Sequence, residues 1–266
     1  MENLLPALYL KGLSGNEFQV ALVHILGEGA TGLSPASIAA LKKSWEKDHE
    51  QWKFQPISEP FAYIWADGVN VKVRLGEDKK LCLLVILGVT ESGEKKLLAV
   101  EPGYRESKES WAFVLRGLKK RGLNSPLLAV GDGALGFWAA IRDVYPETKE
   151  MRCWVHKIAN VLDKLPKRLQ LKAKELLHEM MYADTEKDAN EALQVFDTAF
   201  GLKHPKSVDC LKKDWAELTT HFKFPAAHWS HIRTTNPIES IFATVKLRTR
   251  TAIRCRQSQG CSYNGL

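Results

Sequence analysis

The chain has 266 residues, 45% of them hydrophobic, and 38 Lys and Arg stand against 31 Asp and Glu for a formal net charge of +7 at pH 7. That apolar content suffices for a core and excludes wholesale disorder, while no apolar run reaches the ~18 residues of a membrane helix. The opening MENLLPALYLKG lacks a signal peptide's basic-then-apolar pattern, and five cysteines without a CxxC pair fit a reduced, cytoplasmic protein.

The charge is uneven. Residues 1–60 carry 5 basic and 7 acidic groups, whereas Lys246 to Arg256 holds five basic residues and no acid. A polyanion such as DNA is one partner for that pattern; an ordinarily soluble basic surface is the alternative.

The elements fall into three stretches. Before residue 57, Phe18, Ala21, Leu22, Ile25 and Leu26 recur at helical spacing until Gly27–Gly32 breaks the pattern. Ser34 as N-cap and Pro35 at the first helical position then open a second helix through Ile38, Leu41 and Trp45. The pair fits a helix-turn-helix presenting Lys42, Lys43 and Lys47, or a plain helical pair, since the region is net acidic. From about 60 the period changes. Phe61–Ala66, Val69–Arg74 and Leu81–Val89 read as strands, with Leu97–Val100 as a short edge. A helix over Lys108–Arg121, a strand over Leu127–Val130, a helix over Leu135–Val144 and a strand over Lys149–Val155 follow. This order predicts an α/β sheet with an antiparallel start and a parallel remainder. From 157 the chain is helical: Lys167–Met181, Glu186–Phe200, Val208–Phe222 and Ile238–Arg248.

Several positions carry chemistry. Asp67 ends the first strand within YIWADG; alone, the Asp-Gly pair also reads as a hairpin turn. Asp132 follows a buried strand within LLAVGDGALG. Carboxylates at the ends of adjacent strands converge at a sheet's ligand-binding edge, and Mg²⁺ is the cation such oxygens suit. The same segment, Gly131 to Gly136, matches GxGxxG with Glu150 downstream, so a dinucleotide-binding enzyme is a minor alternative. Against it, Asp132 would put a carboxylate near the pyrophosphate. Glu239, in RTTNPIES, lies near a helix start capped by Thr235 or Asn236 and complements the helix dipole there. Cys153 and His156 form a CxxH pair at the end of the fifth strand. Two ligands do not make a structural zinc site, so a supporting role is expected for them.

The blocks YIWADGVNVKVR, LGVTESGEKKLLAV, ESWAFVLRGLKKRGL, LLAVGDGALGFWAAIRDVYPETKEMRCWVHKIANVL and IRTTNPIESIFATVKLRTR, in this order, resemble the bacterial Mutator-type insertion-sequence transposases over about residues 15–250. The resemblance implies a ribonuclease-H-like mixed sheet with an all-helical insertion and a short N-terminal helical segment. It places a catalytic, metal-binding DDE triad on Asp67, Asp132 and Glu239, with Mg²⁺ as cofactor and Mn²⁺ as substitute. Cys153, His156 and Asn236 become site-supporting, and Arg233, Lys246, Arg248 and Arg250 DNA-binding.

The implied divisions are 1–56, a partial N-terminal DNA-binding segment; 57–156, the first part of the core; 157–232, the helical insertion; 233–250, the helix carrying the third acid; and 251–266, a tail. Both ends depart from the family pattern, and a codon choice restores a family-like continuation in another frame. A truncated or frameshifted copy is therefore expected, its tail polar and loosely attached. The implied activity is metal-dependent cleavage and strand transfer of double-stranded DNA, at terminal inverted repeats and target, by a nucleoid-associated homo-oligomer without membrane attachment. A non-catalytic DNA-binding remnant is the alternative.

Overall fold

The computed structural model describes residues 35–72, 80–103 and 106–240. They fall in two compact units: Ser58–Val69 with Cys82–Ile238, and the described residues of Met1–Ile57, Asn70–Leu81 and Glu239–Leu266. In the latter, α1 (Pro35–Phe54) runs for 20 residues with Lys43 and Lys47 exposed. The first helix of the expected helix-turn-helix and its Ser34 cap lie outside the described residues.

The larger unit is built on a sheet of β1 (Phe61–Lys72), β2 (Lys80–Thr90), β3 (Lys95–Gly103), β4 (Leu128–Gly131) and β5 (Lys149–Arg152). Its spatial order is β3-β2-β1-β4-β5. β2 and β3 pair antiparallel, whereas β4 runs parallel to both β1 and β5. Burial explains the strands: Ile64, Trp65, Val85, Ile86, Ala129, Val130 and Met151 are all essentially inaccessible, as expected where helices cover the sheet. α2 (Lys108–Lys120) turns Trp111, Ala112, Val114, Leu115 and Leu118 inward, and Trp111 meets Phe137 of α3 (Leu135–Val144) edge-on, with centroids 5.0 Å apart.

The helical stretch comprises α4 (Trp154–Leu162), α5 (Lys167–Met181), α6 (Glu186–Phe200), α7 (Pro205–Lys212), α8 (Trp215–Leu218) and α9 (Trp229–Ile232). It belongs to the same unit as the sheet. The buried Trp154 indole donates to the Leu218 carbonyl (3.0 Å), and the Tyr63 hydroxyl on β1 bonds His228 Nδ1 (2.8 Å).

Three local expectations change. β1 runs unbroken through Asp67-Gly68 to Lys72, so the hairpin reading of that pair fails, and Asp67 lies within the strand, just past its last pairing with β4 at Ala66, instead of at the strand's end. β5 ends at Arg152 instead of Val155, because the chain turns helical at Trp154, whose N–H donates to the Arg233 carbonyl (3.0 Å). Cys153 thus caps a helix and His156 sits in its first turn. The helix expected over Val208–Phe222 divides into α7, α8 and a 3₁₀ turn at Thr220–Lys223, the break falling at Asp214, an ion-pair partner of the sheet.

Candidate active site

Asp67 and Asp132 come together through register. β1 and β4 pair in parallel as Tyr63↔Leu128, Ile64↔Ala129, Trp65↔Val130 and Ala66↔Gly131. The next residue on each chain is an aspartate, and parallel neighbours lie about 4.8 Å apart. Both are half-buried. Asp132 Oδ1 accepts from the Ala134 N–H (2.9 Å), a local turn that orients its carboxylate. Gly133 then takes φ +93°, and a Cβ there would lie 0.9 Å from Arg152 Nη1.

A third acid, Glu106, joins this edge, and sequence reasoning missed it. It precedes Ser107, whose side chain caps α2 by accepting from the Ser110 N–H (3.2 Å). Its carboxyl lies against the Gly68 backbone, where a Cβ would approach Oε1 to 2.0 Å. Burial, and then the charges of Asp132 and Asp67, hold Glu106 above the usual carboxylate range. Burial, Glu106 and Asp67 likewise push the Cys82 thiol up to about 11. The only sequence signal was an acid just ahead of a helix cap, a pattern too common to single it out.

His156 brings the compensating charge. Its hydrogen bond with Cys153 Sγ (3.2 Å) outweighs desolvation, and the charges of Cys153, Asp132 and Asp67 add to it, so the imidazole is pushed up to about 9. Burial alone would raise the Cys153 thiol, but its bonds with His156 and Thr235 outweigh this and lower it. The backbone N–H and Oγ1 of Thr235 both donate to Cys153 Sγ at 3.4 Å. Trp65 Nε1 on β1 donates to the Thr234 carbonyl (3.2 Å). The segment that leads to Glu239 is thereby fastened to β1 and α4.

The chain is helical from 236 to 240, and the Ile238 N–H bonds back to the Thr235 carbonyl (3.0 Å). Asn236 is exposed, its own N–H meeting Thr234 Oγ1 at 3.4 Å. Glu239 is exposed and opens the part of the chain assigned to the other unit. Lys246, Arg248, Arg250 and the tail lie outside the described residues. Among the described residues, no three His, Cys, Asp or Glu side chains are grouped so as to hold a metal ion. The acid pair, Asp67 on β1 and Asp132 just after β4, is an open set of hard oxygen donors, which suits Mg²⁺ rather than a soft metal.

Two expectations fail here. Arg233, expected to track a phosphate backbone, is buried. Its guanidinium donates to the Met181 and Trp229 carbonyls and lies 4.8 Å from the centre of the Tyr182 ring, so its donors are spent inside the fold. The GxGxxG loop is filled by the protein itself: Arg152 occupies the space at Gly133, and the Glu106–Lys108 backbone approaches Gly136 so closely that a Cβ there would come within 2.3 Å. Glu150, the supposed ribose ligand, is held by Arg142 through two bonds of 2.7 Å. Nothing at this loop favours a dinucleotide.

The family described as Transposase, Mutator family, matches residues 1–257, further toward both ends than the blocks above. The chain is similar to the transposase for insertion sequence element IS6120 of Mycolicibacterium smegmatis, at 49% identity over 251 residues, spanning 94% of this chain and 77% of that protein. It is also similar to the transposase for insertion sequence element IST2 of Acidithiobacillus ferrooxidans, at 48% identity over 238 residues, covering 89% and 80%. A more distant likeness, 29% over 249 residues, is to the transposase for ISRM5 of Rhizobium meliloti. No helix among the described residues is long and apolar enough to cross a membrane.

Proposed function

Because the chain belongs to the Mutator family of transposases, we propose that it cleaves and joins DNA at the ends of an insertion sequence, using Asp67, Asp132 and Glu239 as its acidic triad. The observation that carries this reading is the register of β1 and β4, which sets Asp67 and Asp132 side by side at a parallel sheet's edge. The sheet order β3-β2-β1-β4-β5, antiparallel between β2 and β3 and parallel from β1 through β5, supports a ribonuclease-H-like core. Glu239 enters by its place in RTTNPIES, the segment whose start is anchored at Trp65 and Cys153.

Asp67, Asp132 and Glu239 would hold Mg²⁺, with Mn²⁺ as substitute. When bound, such ions lower the pKa of water or a 3′-hydroxyl and stabilise the leaving oxygen of an in-line displacement. The protein's own residues supply the rest. Asp132 is oriented by the Ala134 N–H, so its carboxylate does not need to be ordered when DNA arrives. His156, protonated at neutral pH, places a positive charge near the two aspartates and limits the repulsion between them. Cys153 and Thr235 fix that imidazole and, through the same atoms, the strand of chain running toward Glu239. Terminal inverted repeats and target DNA are the proposed substrates, acted on by a homo-oligomer.

The test is a cleavage and strand-transfer assay with DNA carrying the element's ends. Asp67→Asn and Asp132→Asn should each abolish both reactions in Mg²⁺ and in Mn²⁺ while DNA binding survives, since each removes a metal-binding oxygen and little else. Cleavage by either variant at the unmodified chain's rate would refute the assignment.

A further inference from the structure

A buried cluster behind the Asp132 loop is not used by the chemistry above. Arg152 ends β5 in register with Gly131, and its side chain is only 8% exposed. Its Nε lies 3.3 Å from Asp214 Oδ2, and Lys157 Nζ, on a side chain 4% exposed, reaches the same oxygen at 2.7 Å. One carboxylate oxygen therefore faces two cations, and neither Nε nor Nη1 of Arg152 has a hydrogen-bond partner among the described residues. A buried guanidinium with unspent donors is costly, so its retention calls for a reason. The reason lies at its tip: Nη1 occupies the volume that a side chain at residue 133 would fill, directly after Asp132. Gly133 in turn holds the left-handed φ of +93° that glycine adopts without strain. Asp214, between α7 and α8, belongs to the helical stretch, whereas Asp132 belongs to the sheet.

We propose that Arg152 is a positioning residue for Asp132, clamping the Gly131–Ala134 loop from behind, and that Asp214 is its anchor, so that the helical stretch sets the geometry of the acidic edge. The planar guanidinium is the working part, because a lysine retains the charge but not the flat tip that fits over a glycine. Asp214→Asn keeps the guanidinium and removes the ionic anchor. Both changes act on the loop through packing and not through DNA, which the buried Nη1 does not face.

This inference rests on the transposase reading for its catalytic consequence only, so the test has two arms. In the first, hydrogen–deuterium exchange of the metal-free protein is followed over residues 131–136. Arg152→Lys and Asp214→Asn should both speed exchange there by roughly tenfold or more while the β2–β3 peptides and the far-ultraviolet spectrum stay unchanged. In the second, cleavage is measured with DNA bearing the element's ends. A displacement of about 1 Å costs on the order of 100-fold in rate, so kcat should fall by that order with the DNA Kd held within twofold, and the Mn²⁺ concentration for half-maximal rate should rise.

If Arg152→Lys does not fold, Asp214→Asn carries both arms. Unchanged exchange at 131–136 in the folded variants would overturn the proposal. So would a DNA affinity that falls in step with the rate, which would make Arg152 a phosphate contact. If the unmodified chain cleaves no DNA, the transposase reading fails, and the exchange arm still decides the clamp.

Discussion

At His221, burial sets the charge state. The ring is fully enclosed between Phe222, 4.1 Å away, and Trp229, at 5.5 Å, and its Nδ1 lies 3.0 Å from the Leu218 carbonyl. Desolvation lowers its pKa to about 4, the Leu218 carbonyl opposes this, and the neighbouring Arg233 charge lowers it further. The unfolded chain, titrating near the ordinary 6.5, takes up its proton first. Stability from the neutral buried ring is therefore complete above about pH 6.5 and is lost as pH falls toward 4, to the extent of about 3 kcal/mol. Urea unfolding at pH 7.5 and pH 4.5 checks this: His221→Leu should show a drop between the two pH values smaller by about 2–3 kcal/mol than the unmodified chain's. Equal drops would mean that the ring is not held neutral. The same scale explains what sequence reading missed. Glu106, Arg152 and Arg233 sit in unremarkable local sequence, and their roles arise from groups 39, 19 and 52 residues away: Asp67 for the first, Gly133 for the second, the Met181 carbonyl for the third.

At the element scale, the helices and strands whose burial follows from their own period were legible in the sequence. α2 is the clearest, with Trp111, Val114, Leu115 and Leu118 on one face and Phe113 left exposed. Its energetics follow from that asymmetry. Leu115→Ala, at a site without solvent access, should cost about 2–5 kcal/mol, Ser107→Ala about 1 kcal/mol through the lost cap, and Phe113→Ala within about 0.5 kcal/mol of nothing. Chemical denaturation of the three variants would reveal it, and a Phe113 change as costly as that at Leu115 would mean the inner face was misassigned. What remained illegible were the boundaries set by tertiary partners. Lys149–Val155 reads as one strand, yet the Trp154 N–H is taken by the Arg233 carbonyl and the segment splits into strand end and helix start. Asp67-Gly68 carries a hairpin signal, yet β1 continues through it to Lys72. The two aspartates were legible because an apolar run followed by an acid is a local pattern, although Asp67 proves to lie inside its strand. The glutamate that joins them was not, because only the sheet's packing brings it there.

For the molecule as a whole, the net charge of +7 is distributed between cations that the fold consumes and cations left for a partner, and the two kinds can be told apart by salt. Arg233 is of the first kind. Its bonds to two backbone carbonyls and its seat over Tyr182 tie the segment before Glu239 to α5. Desolvation lowers its pKa while the nearby Tyr182 opposes the change, but a guanidinium stays charged throughout the neutral range. Lys246, Arg248 and Arg250, carried by the family resemblance, are the candidates of the second kind. Each phosphate contact releases about 0.9 of a counterion from duplex DNA, so the slope of log Kobs against log salt counts contacts and is indifferent to buried charge. Arg233→Gln should lower the unfolding free energy by about 1–3 kcal/mol through its orphaned carbonyls, yet leave that slope unchanged. Lys246→Gln, Arg248→Gln and Arg250→Gln should each reduce the slope by about 1 where the residue meets a phosphate, with weakening alike on specific and random duplexes. Titrations of one duplex from low to moderate salt give all four slopes in a single series. A slope that drops by about 1 for Arg233→Gln would mean that its guanidinium leaves the Met181 and Trp229 carbonyls to meet DNA, and the inward assignment would have to be abandoned.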